Sequence, residues 1–324
     1  DKVAKLIPIG FSIAQALTSV FELQELYSQP QYKKLLDLAK RVEGSARHAS
    51  THAAGVVIAD KDITQYTPLQ KESKSDKIIT QYDMYSLDLN VSEEAVGLLK
   101  IDFLGLRNLT ILARAIDLIK QSKSLDIDIS SIPLDEPRVF TMLSEGETTG
   151  VFQLESPGMR RVARSLKPSR FSDITAMVAL YRPGPMELIN DFIKGKQDPT
   201  SVKYPHPDLK PVLATTYGIA VYQEQVLQIA HVLAGYSLGE ADILRRAIGK
   251  KKKSIMDKEK AKFIAGAKTK GYTQIIADKV WGFIEKFASY GFNLAHATAY
   301  AMIAYQTGYL KALYPVEFMA ALLS

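Results

Sequence analysis

The chain has 324 residues, of which 47% are hydrophobic, with a formal net charge of +6 and no cysteine. That length and apolar content suit a folded core shared among two or three modules, and no uninterrupted apolar run is long enough for a membrane span. Without cysteine there are no disulfide staples, thiolate nucleophiles or cysteine zinc sites, and a modest positive charge points to an anionic partner only once the charges are located.

The first residues, "DKVAKLIPIG", carry neither an initiator Met nor the sections of a signal peptide, and "YPVEFMAALLS" stops inside an amphipathic pattern, so both ends are expected to be cuts in a longer polypeptide. Residues 11–43 read as two helices broken at "SQPQ", with Pro30 in a first helical turn. Leu35, Leu36, Ala39 and Val42 form an inner stripe that ends at Gly44. Lys33, Lys34, Lys40, Arg41 and Arg47 stand against Asp37 and Glu43, a basic surface that a solvated helix face explains as well as a nucleic-acid contact does. "RHASTH" sets His48 and His52 four apart, which suits two imidazoles on one metal, but no third His or Cys lies nearby.

From "AAGVVIAD" to Phe103 the chain turns to strand-like runs, "GVVIA", "IITQYDM" and "LLKIDFL". Within "GLLKIDFLGLRNLT" a strand sends Leu99, Ile101 and Phe103 to one face and Leu98, Lys100, Asp102 and Leu104 to the other. Lys100 and Asp102 then lie side by side, about 7 Å apart at their α-carbons. Two readings are open. One is a partly buried ion pair, since pairing is the tolerable way to bury either charge; the other is a carboxylate that holds a metal beside a lysine that meets a phosphate. Beyond Gly105, Leu109, Leu112, Ala113 and Ile116 recur at helical spacing and predict a buried helix.

Helices dominate from there on, interrupted by a short strand "GVFQL" at 150–154 and by the loops "SIPLDEP", "YRPGPM" and "KYPHPDLKP". Asp126 and Asp128 of "DIDI" have the spacing of a two-carboxylate motif, but in a polar linker before Pro133 they are expected to cap. Ser156 and Pro157 open a helix that buries Met159, Val162, Ala163 and Leu166 and turns Arg160, Arg161 and Arg164 outward, either to solubilise it or to meet DNA. "SLGEADILRRAIGKKKK" opens with Ser237 and Glu240 at capping-box spacing, buries Ile243, Leu244, Ala247 and Ile248, and stops at Gly249. Arg245 and Arg246 leave it on adjacent spokes, and Lys250, Lys251, Lys252 and Lys253 follow. Six positive charges in nine residues suit a helix dipole in part and a phosphate or DNA grip more fully. Finally, Tyr290, Phe292, Asn293 and His296 gather before a long helix in which Tyr300, Ile303, Ala304 and Tyr309 face inward. Polar and aromatic groups at a helix start can stack on a base and contact phosphate.

Six blocks, "STHAAGVVI", "LLKIDFLGLRNLTIL", "GVFQLESPGMRR", "LYRPGPMELINDFIKGK", "TYGIAVYQEQVLQIAHVLAGYSLGEADILRRAIGKKK" and "YGFNLAHATAYAMIAYQT", together resemble the C family of bacterial replicative DNA polymerases, the DNA polymerase III α subunits. The resemblance runs over essentially the whole chain in the same order. It implies an α+β, mostly helical fold: a small mixed-sheet palm segment, like the β-type nucleotidyltransferases, followed by a large helical fingers domain. The implied division is the end of a helical thumb at 1–57, a second palm segment at 58–108 and fingers at 109–324. The implied activity is template-directed addition of dNMP to a primer 3′-hydroxyl by phosphoryl transfer on two Mg²⁺ ions.

On the matching positions, Asp102 is the catalytic metal ligand and Lys100 a triphosphate contact. Arg245, Arg246, Arg182, Asn293 and His296 approach the nucleotide; Lys250, Lys251, Lys252, Arg160 and Arg161, read from their charge and placement, are expected to contact DNA. Leu294 and Ala295 depart from the family, which has a basic residue and Ser there. The family's other two aspartates come from an earlier "DxD" strand expected before residue 1, so the metal site is completed outside this chain and the isolated fragment is expected to be inactive. The implied partners are primer–template DNA, dNTPs and replicase subunits such as the sliding clamp, the last through regions outside this chain, in a bacterial cytoplasm and with no membrane. Two other classes remain open: a non-catalytic nucleic-acid-binding module, and a metal-dependent hydrolase built on His48 and His52.

Overall fold

The computed structural model describes residues 2–8, 10–45, 51–72, 75–89, 92, 94–103, 105–250, 253–288 and 291–324, with no side chain described at 2, 248–250, 253–255 or 288. Expectations for Arg47, His48, Leu104, Lys251, Lys252 and Tyr290, and for the side chains of Ile248, Lys250 and Lys253, lie outside the described residues. The chain divides into two compact units, Asp1–Gly105 and Leu106–Ser324.

The first unit holds α1 (Lys2–Lys5), α2 (Ile13–Ser19), α3 (Phe21–Tyr27), α4 (Pro30–Val42), β1 (Gly55–Ile58), β2 (Leu69–Lys71), β3 (Ile78–Thr80), α5 (Met84–Leu87) and β4 (Leu99–Asp102). Where a mixed sheet is expected, both pairings among the described residues are antiparallel, β1 with β4 and β2 with β3. Residues 11–43 form three helices, not two. Ser12 and Gln15 close a capping box on α2, and Val20, in extended backbone, ends α2 and starts α3 without any Gly or Pro to announce it. Pro30 does take the first position of α4. Only Leu36 of the expected stripe is buried, packed with Ile13, Ala16 and Leu23, while Leu35 and Val42 are exposed. A core this small has room for one line of side chains from α4.

The second unit holds α6 (Arg107–Lys123), α7 (Pro137–Glu145), α8 (Pro157–Leu166), α9 (Phe171–Leu180), α10 (Ile189–Gln197), α11 (Lys210–Leu213), α12 (Gln223–Ala234), α13 (Leu238–Lys250), α14 (Lys253–Thr269), α15 (Gln274–Ala288), α16 (Leu294–Leu313) and α17 (Pro315–Leu323). Among the described residues no helix is long and apolar enough to cross a membrane. The core gathers on α16, whose Ala297, Ala301, Ala304, Tyr305 and Gly308 are buried in a line of mostly small residues. That line lets α9, with its own Ala176 and Ala179, approach closely. Of the four positions expected to face inward, Ala304 is fully buried and Tyr300, Ile303 and Tyr309 are partly so.

Three local expectations change. The run "GVFQL" is a turn, because Gly150 and Gln153 adopt positive φ (76° and 62°) and cannot continue a strand. Thr148 Oγ1 donates to the Leu154 carbonyl at 2.6 Å, and the Phe152 N–H donates to Thr307 Oγ1 on α16 at 3.1 Å. In α6 the buried residues are Ile111, Leu112, Ala115 and Ile119, because α17 docks along that line with Phe318 and Ala321; Leu109 and Ala113 face out. α13 runs through Gly249 to Lys250, with Leu244 and Ala247 buried and Ile243 exposed. On α8, Ser156 accepts from the Met159 N–H at the predicted N-cap. Two of its three arginines are fasteners as well as surface charges: Arg160 Nη2 donates to Thr149 Oγ1 (2.8 Å) and Arg164 Nε to the Glu145 carbonyl (3.0 Å). Asp126 pairs with Lys120, and Asp128 accepts from the Ser130 N–H, as local turn contacts.

A buried ion cluster ties α8, α9 and α10 together. Asp173, 1% exposed, accepts from Lys196 Nζ, from Arg170 Nε at 3.3 Å and from the Ser169 N–H at 2.9 Å. Lys196 also donates to the Lys167 carbonyl at 2.8 Å. Removing one partner from such a cluster strands a buried charge. Asp173→Ala is therefore expected to lower the unfolding free energy by about 3–5 kcal/mol in urea titration. The exposed Asp126→Ala serves as the control and is expected to change it by less than about 1 kcal/mol.

The predicted box at Ser237 and Glu240 also forms. Glu240 Oε2 accepts from the Ser237 N–H (2.9 Å), Ser237 Oγ accepts from the Glu240 N–H (3.3 Å), and Glu240 Oε1 accepts from Lys262 Nζ on α14 (2.9 Å). The Lys262 bond first, and the Ser237 bonds after it, bring the Glu240 carboxyl from its ordinary 4.5 to about 2. A depressed carboxylate contributes its stability above the unfolded value and loses it as pH falls through the folded one. Glu240→Gln is thus expected to destabilise the chain at pH 7, with the difference in urea midpoint shrinking between pH 4.5 and 2.

Candidate functional site

In the first unit the antiparallel register sets Gly55 opposite Asp102 and Val57 opposite Lys100, so Lys100 and Asp102 share one face of the β1–β4 pair. A side chain at Gly55 would collide there: a Cβ would sit 2.8 Å from Lys100 Cε and 3.1 Å from His52 Nδ1. That gap lets three groups converge. Lys100 Nζ lies 3.0 Å from Asp102 Oδ1 and His52 Nδ1 lies 3.6 Å from the same oxygen, while His52 Nδ1 also accepts from the Ala54 N–H at 3.2 Å. The ion pair expected from the sequence is present. It is not deeply buried, since the Asp102 side chain is 52% exposed, and on the opposite face Leu99 and Phe103 are exposed as well.

His48 is outside the described residues; His52, which the sequence spaces four residues from it, lies beside Asp102. The usable signal was Gly55, three residues on, whose missing side chain opens the path to Asp102. Among the described residues no three His, Cys, Asp or Glu side chains are grouped to hold a metal. One carboxylate and one imidazole beside an ammonium do not make a two-metal donor set. The residues present therefore do not fit that centre by themselves.

In the second unit the first turn of α12 collects residues far apart in sequence. The Phe292 N–H donates to the Val221 carbonyl (3.0 Å), the Gln223 N–H to the Phe292 carbonyl (2.9 Å) and Gln223 Nε2 to the Gly291 carbonyl (3.3 Å). Glu224 completes the clamp, accepting from Asn293 Nδ2 (3.1 Å) and from the Leu294 N–H (2.9 Å), while Asn293 Oδ1 caps α16 by accepting from the His296 N–H (2.8 Å). The Arg182 guanidinium lies 4.5 Å from the centre of the Phe292 ring, a cation–π contact, and its Nε donates to the Ala179 carbonyl. Burial pushes that guanidinium below its ordinary value. Aromatic contacts continue from Phe292 to His296 (5.4 Å between centroids) and from His296 to Tyr300 (4.3 Å).

Gln223 also reaches α13, where its Oε1 accepts from Arg245 Nη1 at 3.2 Å. Arg245 and Arg246 share one counter-ion: Asp242 Oδ1 accepts from Arg245 Nε (2.9 Å) and Nη2 (2.7 Å), and Oδ2 from Arg246 Nε (2.9 Å). Burial pushes the Asp242 carboxyl up, but the bonds and charges of the two arginines outweigh it and leave it below the ordinary value. Arg182, Arg245, Arg246, Asn293 and His296, singled out separately in the sequence, thus belong to one contact network. Gln223, Glu224 and Asp242 were missed. Only Asp242 had a signal, an acid three and four residues before a pair of arginines. Arg160 and Arg161 stand on α8 and form no hydrogen bond to this network among the described residues.

Residues 108–271 match the family described as the bacterial DNA polymerase III alpha subunit finger domain, and residues 1–105 match the bacterial DNA polymerase III alpha NTPase domain. The DNA polymerase III subunit alpha of Thermus aquaticus is 49% identical over 100% of this chain and 27% of its own length. The proteins of the same name from Bacillus subtilis and Aquifex aeolicus are 48% and 46% identical over 100% of this chain, and the matches cover 29% and 30% of those proteins. The chain spans less than a third of the curated relatives it matches. With the two units matched in order by the two parts of one protein family, the chain belongs to the bacterial DNA polymerase III alpha subunits.

Proposed function

We propose that this chain is the part of a bacterial replicative DNA polymerase that ends the thumb (1–57), supplies a second palm segment (58–108) and forms the fingers (109–324). The first of these boundaries falls within β1 (Gly55–Ile58). The whole protein adds dNMP to a primer 3′-hydroxyl on a DNA template in the cytoplasm. Primer–template, dNTPs and replicase subunits such as the sliding clamp are its partners. The observation that carries this reading is the network around Gln223, in which three arginines, an aromatic ring and a capped helix start meet in a member of this family.

Phosphoryl transfer asks a protein mostly for positioning and for charge aimed at the phosphates. Arg245, Arg246 and Arg182 supply planar donors that suit phosphate oxygens, Phe292 and His296 supply faces on which a base stacks, and Lys100 supplies an ammonium beside Asp102. Asn293 acts through structure, since its side chain is committed to α16 and Glu224. Lys250, Lys251, Lys252, Arg160 and Arg161 are assigned to duplex phosphates. A bound Mg²⁺ would supply Lewis-acid chemistry toward phosphate and hydroxyl oxygens; Asp102 would give it one carboxylate, the remaining ligands being assigned to the longer polypeptide.

In the full-length protein, Asp102→Asn is expected to lower nucleotide incorporation by about 10³-fold, a loss typical of removing a group aimed at transition-state charge, and to leave primer–template binding within a few-fold. Incorporation near the parent rate would refute the assignment.

With Asp102 the one carboxylate grouped there among the described residues, a second reading is favoured for the isolated chain, that of a DNA-binding module without catalysis. Residues 1–324 alone are expected to bind duplex DNA without sequence preference, with an affinity that falls steeply as salt rises. They are expected to give no primer extension with Mg²⁺ and four dNTPs. Extension that disappears with Asp102→Asn would overturn this second reading.

A further inference from the structure

Asp242 sits one helical turn before Arg245 and Arg246, so a single carboxylate reaches both guanidinium groups on one face of α13. An acid in that place is costly if the arginines serve only as charge, because it cancels one of two positive charges and repels an incoming polyphosphate. The geometry does not resemble a loose surface pair. Arg245 is 27% exposed, two of its nitrogens are taken by Asp242 Oδ1, and the third is taken by Gln223 Oε1 from α12. Arg246 is turned by its Nε toward Oδ2 and is otherwise 64% exposed. Gln223 is in turn bonded through its backbone and its amide to the 291–292 segment. Asp242 thus fixes the pair from one side, and Gln223 ties it to the loop that precedes α16.

We infer that Asp242 is a positioning residue, which holds Arg245 and Arg246 in a fixed pair so that their outer N–H groups receive the polyphosphate of the incoming nucleotide. This rests on the nucleotide-site reading above. A flexible arginine loses side-chain freedom when it grips phosphate, and a carboxylate that has already ordered it reduces that loss. The two accounts of Asp242 then predict opposite signs. Were it only a counter-ion, removing its charge would tighten nucleotide binding; as a positioning group, removing it loosens binding despite the gain in positive charge.

The test is steady-state primer extension by the full-length protein as a function of dNTP concentration. Asp242→Asn keeps the shape and removes the charge. It is expected to raise the KM for dNTP about tenfold with a smaller change in kcat. Asp242→Glu is expected to recover part of that loss. Gln223→Met, which changes no charge, is expected to raise KM in the same direction and guards against a misfolded Asp242 variant. In an Arg245→Ala, Arg246→Ala background, Asp242→Asn is expected to add nothing, since there is no pair left to hold. An unchanged or lowered KM in Asp242→Asn, with KM raised in the arginine variants, would overturn the positioning role and leave the nucleotide site standing. An unchanged KM in Arg245→Ala and Arg246→Ala would overturn the nucleotide site itself.

Discussion

The start of α16 is the constraint on which the second unit depends. A helix leaves its first amide N–H groups without intrahelical acceptors, and at the start of α16, exposed over residues 293–296, side chains take two of them. Asn293 takes the His296 amide and Glu224 takes the Leu294 amide. Because Glu224 is in the first turn of α12, satisfying α16 also fixes α12 against it. The small-residue line of α16 then sets how closely α9 can pack, and Phe292 is brought to where Arg182 covers it. Gln223, next to Glu224, passes the same restraint to α13 through Arg245. The polar residues at the surface of the site are therefore held by the hydrogen bonds that let the core helix begin.

What was legible in the sequence follows the range of the interaction responsible. Ser156 with Pro157, and Ser237 with Glu240, are local caps, and each occurs where its spacing places it. β1 was legible as a β-branched run and β4 as a short apolar stretch broken by two charges, and the Lys100–Asp102 pair follows from its alternation. The break at Val20 and the turn at "GVFQL" depend on backbone angles that a valine and a glutamine do not advertise. The inward face of α6 is apolar over a wide arc, and the docking of α17, almost two hundred residues on, chooses which part is buried. Gln223 was illegible because it owes its role to partners brought alongside across a long stretch of chain, whereas His52 had one local sign, the glycine at 55.

The two candidate regions treat charge differently. Around Asp102 the balance is simple, with one carboxylate compensated by the Lys100 ammonium and approached by an imidazole, half open to solvent. An exposed pair of this kind contributes little to stability, so stability alone gives no reason for a glycine at 55 that admits both neighbours. The chemical role proposed for Asp102 would give that glycine a reason.

Around α13 the arrangement runs the other way, with acids placed among cations in a region proposed to bind an anion. Glu224 and Asp242 lower the positive potential that long-range attraction would use. Attraction of that kind is screened within about 10 Å at ordinary ionic strength and does not distinguish one phosphate geometry from another. Recognition of a triphosphate held in one pose needs donors at fixed positions more than it needs net charge, and a guanidinium whose inner edge is bonded to a carboxylate presents its outer edge in a defined plane. The cost is one unit of charge. On the proposed reading, the return is a set of donors fixed before a nucleotide arrives, where misplacement by about 1 Å can cost a factor of about 10² in rate.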